Sequence, residues 1–415
     1  EHYRAVTDSI RTPGMLTPLS NPGFSMLWVA NTLSLTAFWM TEVACAWQMR
    51  VMTDADPLAV AAVYTVLQLP IMFLVIPAGV IADLSDRRRG MMWTHAWLAF
   101  SLGVLFWLTW SGRITPLSLL VCLPLISIGL SMRMPAIAAL IPEMVQTDQI
   151  PAAVSLNNVA QNGSRLVGPA LAGAIIAGLG VAAVLALNTA IMALIVLLFL
   201  LMRYRPEQVD RGAKPQGFLV AIKEGVLFAA LTPWKRNVLI RLSIFFACAA
   251  AVPALMAVRF DNSQTYGIMY GCFGAGSLLS VLVIARLGYR RLNNRLNGGL
   301  LFGALCIMLF GLVDRPLLAG PLLACIGASW LFCLNSIMVA AQMQLEPGIR
   351  GRGLSFVYTL GTASLAGGGL IWGAVARGTS PAVALLAAGA CLLLALAATY
   401  RLIIIAPEGA PAPSG

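Results

Sequence analysis

Residues 79–90 read GVIADLSDRRRG. Asp83, Asp86, Arg87, Arg88 and Arg89 put five charges into seven positions of a 415-residue chain of which only 10% is charged. Apolar runs of membrane-spanning length press in from both sides. About 25% of residues are charged in soluble domains, and a helix crossing a bilayer needs roughly 20 mostly apolar residues. A charged knot between two such runs is the wet turn of a membrane hairpin. Because 59% of the chain is hydrophobic and the mean hydropathy is +0.85, the same reading extends along its length.

Working outward from that turn, apolar runs are expected at 24–49, 58–82, 91–110, 115–141, 152–176 and 179–202, then 235–258, 265–287, 297–313, 316–343, 353–375 and 380–404. The fold class is therefore an all-α polytopic membrane protein with twelve transmembrane helices in two groups of six. Residues 1–23 form an N-terminal segment, 24–202 the first bundle, 203–234 a linker, 235–404 the second bundle and 405–415 a disordered Pro/Gly/Ala tail. Within the linker, GFLVAIKEGVLFAALTP reads as an amphipathic surface helix ended by Pro233. No secretory signal peptide is evident, since the run from Phe24 is too long for a cleaved h-region.

The net charge of +11 follows topology rather than nucleic acid. With both termini cytoplasmic, 19 Lys/Arg fall on the cytoplasmic side, five on the other and three inside spans. That asymmetry satisfies the positive-inside rule. The quoted turn then joins spans 2 and 3 in the cytoplasm. It also has an echo: VIADLSDRRR at 80–89 aligns with VIARLGYRRL at 283–292, six of ten positions being identical at an offset of 203. The same offset pairs Glu143 with Glu346, each between the fourth and fifth helix of its half. Two six-helix halves in parallel repeat is an architecture of secondary transporters.

These residues resemble the major facilitator superfamily. Gly79, Asp83, Arg87, Arg88 and Arg89 match its loop 2–3 signature, and SRLVGPALAG, with Gly168 and Pro169, is similar to the fifth-helix motif of its antiporters. FSMLWVANTLSLTAFWMTEVA (24–44), IPEMVQTDQIPAAVSLNNVAQNGSRLVGPALAG (141–173) and AIKEGVLFAALTP (221–233) resemble the bacterial branch containing enterobactin-type siderophore exporters. The resemblance runs from about 24 to 400 and weakens in the second half, where Arg286 replaces the acid. It implies that Asp83 meets the positive N-terminal end of span 11 near Arg352 to Ser355, locking the outward-open state. A merely solvated charged loop is the alternative.

Charges inside the bilayer cost about 2.5–3.5 kcal/mol on insertion scales and mark function. Glu42 is the one acid deep in a span, about 18 residues or ~27 Å along its helix. Arg165 lies about 13 residues or ~20 Å into span 5. A Glu42–Arg165 pair is geometrically feasible and suits proton coupling, the arginine competing with the proton for the carboxylate; a structural ion pair is the alternative. Arg133 and Arg241 join Arg165 as buried cations. The resemblance puts spans 1, 4, 7 and 10 around a central cavity, making Trp39, Glu42, Arg133, Arg241 and Asn335 candidates for substrate binding. A positive cavity suits an anionic substrate such as a carboxylate- or catecholate-bearing siderophore; helix-crossing hydrogen bonds explain the same arginines otherwise. Asn157, Asn158, Gln161 and Gln342 are further polar candidates, as substrate contacts or helix glue.

The sequence has no phosphate-binding GxxxxGK loop, nucleophile motif or metal-ligand cluster, and its eight cysteines read as buried small hydrophobes. The expectation is a non-enzymatic exporter in the bacterial cytoplasmic (inner) membrane, driven by proton antiport. Its expected partners are a small molecule, an anionic siderophore, together with protons and lipid, without nucleic acid or cofactor and as a monomer. Broad drug efflux, and more remotely a lipid flippase or a non-transporting scaffold, stay open.

Overall fold

The computed structural model describes residues 14–84, 86–201, 233–287, 292–344 and 350–402. Within them the regular elements are helical: α1 (Pro22–Met52), α2 (Pro57–Leu84), α3 (Arg87–Trp110), α4 (Pro116–Glu143), α5 (Ile150–Leu179), α6 (Val181–Leu201), α7a (Pro233–Ala249), α7b (Ala251–Arg259), α8 (Ser263–Leu287), α9 (Leu292–Leu312), α10 (Pro316–Gln344), α11 (Arg350–Gly378) and α12 (Pro381–Thr399). All twelve expected spans are helices. The linker's amphipathic helix, the tail and the echoed turn at 288–291 fall outside the described residues.

Local chemistry sets the ends. Asn21 Oδ1 accepts the amides of Gly23 and Phe24 at 2.9 and 3.3 Å to start α1, and Thr115 with Ser118 forms a capping box on α4. Span 7, expected as one helix, breaks at Ala250. Pro253 lacks the N–H that would bond the carbonyl of Ala249, so the ladder loses its rung there.

Among the described residues, nine helices are long and apolar enough to cross a membrane. Of the others, α1 and α5 carry polar side chains along their length. α5 lies between α1 and α8. In the first six helices the main pairings are α1·α5, α1·α6, α2·α4, α3·α4 and α3·α6. Each recurs six helices later, as α7·α11, α7·α12, α8·α10, α9·α10 and α9·α12. The two halves meet chiefly along α5·α8 and α2·α11.

Within the charged turn at 79–90, three side chains have defined roles. Asp86 caps α3 by accepting the amide of Arg89 at 3.1 Å. Arg87 ion-pairs with Glu143 at the end of α4. Arg88 donates to the carbonyls of Phe199 and Leu200 at 2.8 and 2.9 Å, covering the C-terminus of α6 where a cation is favoured. These charges therefore tie α3, α4 and α6 together. The side chains of residues 79–84, Asp83 included, lie outside the described residues.

Candidate functional site

A cavity of about 210 Å³ lies between the halves. Four helices of each half line it, and helical spacing decides which residues face it. Leu35, Phe38, Trp39 and Glu42 on α1 recur at i, i+3, i+4 and i+7, as do Tyr358, Gly361, Thr362 and Leu365 on α11. Opposite them, α10 presents Trp330, Leu334 and Met338. Eight aromatic residues share the wall with three charges: Glu42, Arg133 and Arg165.

One end of the cavity is shut. Toward the α1–α2 and α7–α8 turns, α5 and α8 touch backbone to backbone. A Cβ placed on Gly267 would lie 2.4 Å from the carbonyl oxygen of Pro169. Alongside, the hydroxyl of Thr65 on α2 donates to the carbonyl of Ala366 on α11 at 2.9 Å. Ion pairs Arg50–Asp261 at 2.8 Å and Arg377–Asp56 at 3.5 Å bridge the halves on this face. Toward the α2–α3 turn, Gln161 and Tyr358 line the cavity and are exposed, so it opens past them.

Glu42 is buried at the base of the cavity and accepts a hydrogen bond from the hydroxyl of Tyr270 on α8, across the boundary between halves. The expected direct pairing with Arg165 is not formed. The Arg165 guanidinium stacks on the Trp39 ring instead, 4.6 Å from its centroid, where a cation–π contact is favourable. It stays within electrostatic reach of Glu42 and Tyr270. Gly168 brings α5 against α1, since a Cβ there would lie 2.8 Å from Trp39 Cβ. Pro169 lacks an N–H and leaves the carbonyl of Arg165 without its helical donor. Gly274 of α8 closes over that oxygen, a Cβ there falling 2.5 Å from it.

Arg133 donates from Nη1 to Asn31 Oδ1 at 2.7 Å, and Asn31 Nδ2 donates to Asn157 Oδ1 at 2.8 Å. The chain of bonds links α4, α1 and α5. Arg133 Nε and Trp39 Nε1 are buried without a protein partner. Two of the expected substrate contacts lie elsewhere. Arg241 does not line the cavity: its Nη2 donates to Asn297 Oδ1 at 2.6 Å and to the carbonyl of Thr399 at 2.7 Å, at the C-terminus of α12. Asn335 is half-buried on α10 and is not part of the cavity lining. Asn158 and Gln342 are exposed and also outside the lining.

The sequence reading passed over Tyr64, Tyr270 and Tyr358. A tyrosine in mid-span was the available signal, because its hydroxyl requires a partner in hydrocarbon.

Residues 13–413 match the family model described as transmembrane secretion effector, within the major facilitator superfamily. The chain belongs to that family. This secretion effector family member is 24% identical over 312 residues to an uncharacterized MFS-type transporter, YfiS, of Bacillus subtilis (strain 168), covering 72% of this chain and 71% of the relative. In fold it is similar to the nucleoside transporter NupG, with TM-score 0.72 and 16% identity over 92% of this chain and 98% of the other. It is also similar to an auto-inhibited POT family peptide transporter, with TM-score 0.75 and 13% identity over 94% and 99%. The protein is thus a multi-pass membrane transporter with the major facilitator fold, and not an enzyme.

Proposed function

We propose that this transporter exports a small anionic organic molecule, a siderophore, from the cytoplasm in exchange for protons. It works as a monomer in the bacterial inner membrane with both termini cytoplasmic. On the topology that the charge distribution supports, the shut end is extracytoplasmic and the cavity faces the cytoplasm. The observation that carries the reading is the charge of the cavity wall. Its two arginines face one carboxylate, Glu42, which is already engaged by Tyr270. The site has donors to spare: Arg133 Nε and Trp39 Nε1 are buried without protein partners. An anion supplies the acceptors such donors need. Glu42 touches both the cavity and the contact between halves, which is where a proton-coupling carboxylate has to act.

The eight aromatic wall residues favour a second reading, broad efflux of aromatic compounds. Mass spectrometry of culture supernatants and cell extracts under iron limitation, with and without the gene, separates the two. Loss of one extracellular siderophore with intracellular accumulation is expected. Unchanged siderophore in both compartments would discard the lead reading in favour of efflux.

A further inference from the structure

Between Glu42 and the shut face runs a ladder of side chains to which both halves contribute. Asp261, from the turn before α8, pairs with Arg50 at the end of α1. Arg50 lies over the ring of Trp47 on its own helix, 4.9 Å from the centroid. Trp47 stacks on Tyr266 of α8 with centroids 6.1 Å apart and planes 20° from parallel. Tyr266 meets Tyr270 edge-on at 6.1 Å, and Tyr270 donates to Glu42. Tyr266 is 1% exposed and Tyr270 3%. The ladder leaves Glu42 its exit through the cavity and closes the path to the other face.

We infer that Tyr270 is the positioning residue that ties the protonation of Glu42 to this gate, with the Trp47–Tyr266 stack as its seal. The inference rests on the proton-antiport reading. The Tyr270 hydroxyl bonds a carboxylate more strongly than a neutral acid, because charge-assisted hydrogen bonds are about twice as strong. An ionised Glu42 therefore holds α8 against α1, and protonation loosens that hold. Closure is favoured at higher pH and is lost as pH falls through the titration of Glu42. The other charged or titratable groups facing Glu42 are Arg165 from α5, Tyr64 from α2, Tyr266 from α8 and Cys45 on its own helix. Of these, only Arg165 carries a charge that would compete for the carboxylate. It stays within electrostatic reach of Glu42 but makes no direct ion pair with it, and it belongs to the same half as Glu42, so its attraction does not hold the halves together. The hydroxyl of Tyr270 is thus the contact that changes when Glu42 gains a proton, and it belongs to the other half.

Ser263 reports on the gate, being 6% exposed where α8 meets α5 at the shut face. The experiment labels cells carrying Ser263→Cys with a membrane-impermeant maleimide at several external pH values, with a protonophore present so that the cytoplasm, to which Glu42 is open, takes the same pH. Rates are normalised to Ser111→Cys, an exposed position on the same face, which cancels the reagent's own pH dependence. The chain carrying only the reporter should show about a tenfold rise in normalised labelling on acidification, equivalent to about 1.4 kcal/mol. Tyr270→Phe keeps the ring and removes the hydroxyl. Glu42→Gln keeps the shape and removes the charge. Each should label fast at every pH, with the slope gone. A Tyr270→Phe variant that labels fast yet keeps the native pH slope has only looser packing, and would overturn the inference, as would a flat native profile. If labelling behaves as expected while a proton gradient drives no export, the antiport reading fails and the gate stands. The converse result fails the gate alone.

Discussion

The side chain of Arg241 is 1% exposed, and its two hydrogen bonds run to Asn297 and to the carbonyl of Thr399, the last residue of α12. Helix C-termini leave carbonyls unsatisfied and carry partial negative charge, so a buried guanidinium there acts as a cap. Arg88 does the same for α6, the last helix of the first half. Hydrogen bonds to charged groups contribute about 1.5–3 kcal/mol. Arg241→Gln should accordingly lower the melting temperature of the purified protein without changing substrate affinity in a binding titration. A normal melting temperature with weakened binding would return Arg241 to the substrate site. In the sequence, Arg133, Arg165 and Arg241 look alike, each a lone cation inside an apolar run. What separates them is the azimuth of the helix, and a span that is apolar all round does not encode it. Glu42 was legible because one acid in a bilayer needs a reason; its partner was not, since Tyr270 comes from a helix 228 positions away in the chain.

At the scale of elements, length and hydropathy were enough to find every span, because a bilayer accepts little else than helices of that size. The interruption of α7 at Ala250 was signalled by Pro253, but proline inside a membrane helix does not always break it: α2 and α4 carry theirs uninterrupted. Close helix approach was visible only as richness in small residues, and the packing shows which of them make it. Gly267 faces the carbonyl of Pro169 and Gly173 Cα, where a Cβ would lie 2.4 and 2.8 Å away, both backbone atoms that cannot rotate aside. Gly163 on α5 has nothing within 4 Å of the same position. Gly267→Ala should therefore push α8 from α5 and destabilise the shut conformation by about 1–3 kcal/mol, the usual cost of overpacking. Gly163→Ala should be neutral or stabilising by up to about 1 kcal/mol, as the helix prefers alanine. Thermal unfolding of the two variants side by side measures this, and equal melting temperatures would refute the close contact.

For the molecule as a whole, alternating access requires the shut face to be strong enough to hold and weak enough to open. Two kinds of contact hold it, buried packing along α5·α8 and α2·α11 and the rim pairs Arg50–Asp261 and Arg377–Asp56. The rim pairs look like the lock because they cross between halves, with each half supplying one arginine and one aspartate. Their exposure argues otherwise. The Asp261 side chain is 101% exposed and that of Arg377 61%, so water screens both pairs and salt screens them further. The packed glycine contacts and the aromatic ladder have no such competitor. The double variant Asp56→Asn, Asp261→Asn should therefore raise the labelling of Ser263→Cys by only about two- to fourfold, the range expected of exposed pairs, and raising salt in the native chain should approach the same limit. Gly267→Ala, acting on the buried contact, should exceed that rise and show no response to salt. A double variant that labels as fast as Gly267→Ala would move the lock to the rim, and the ion pairs would then have to be worth more than their exposure allows.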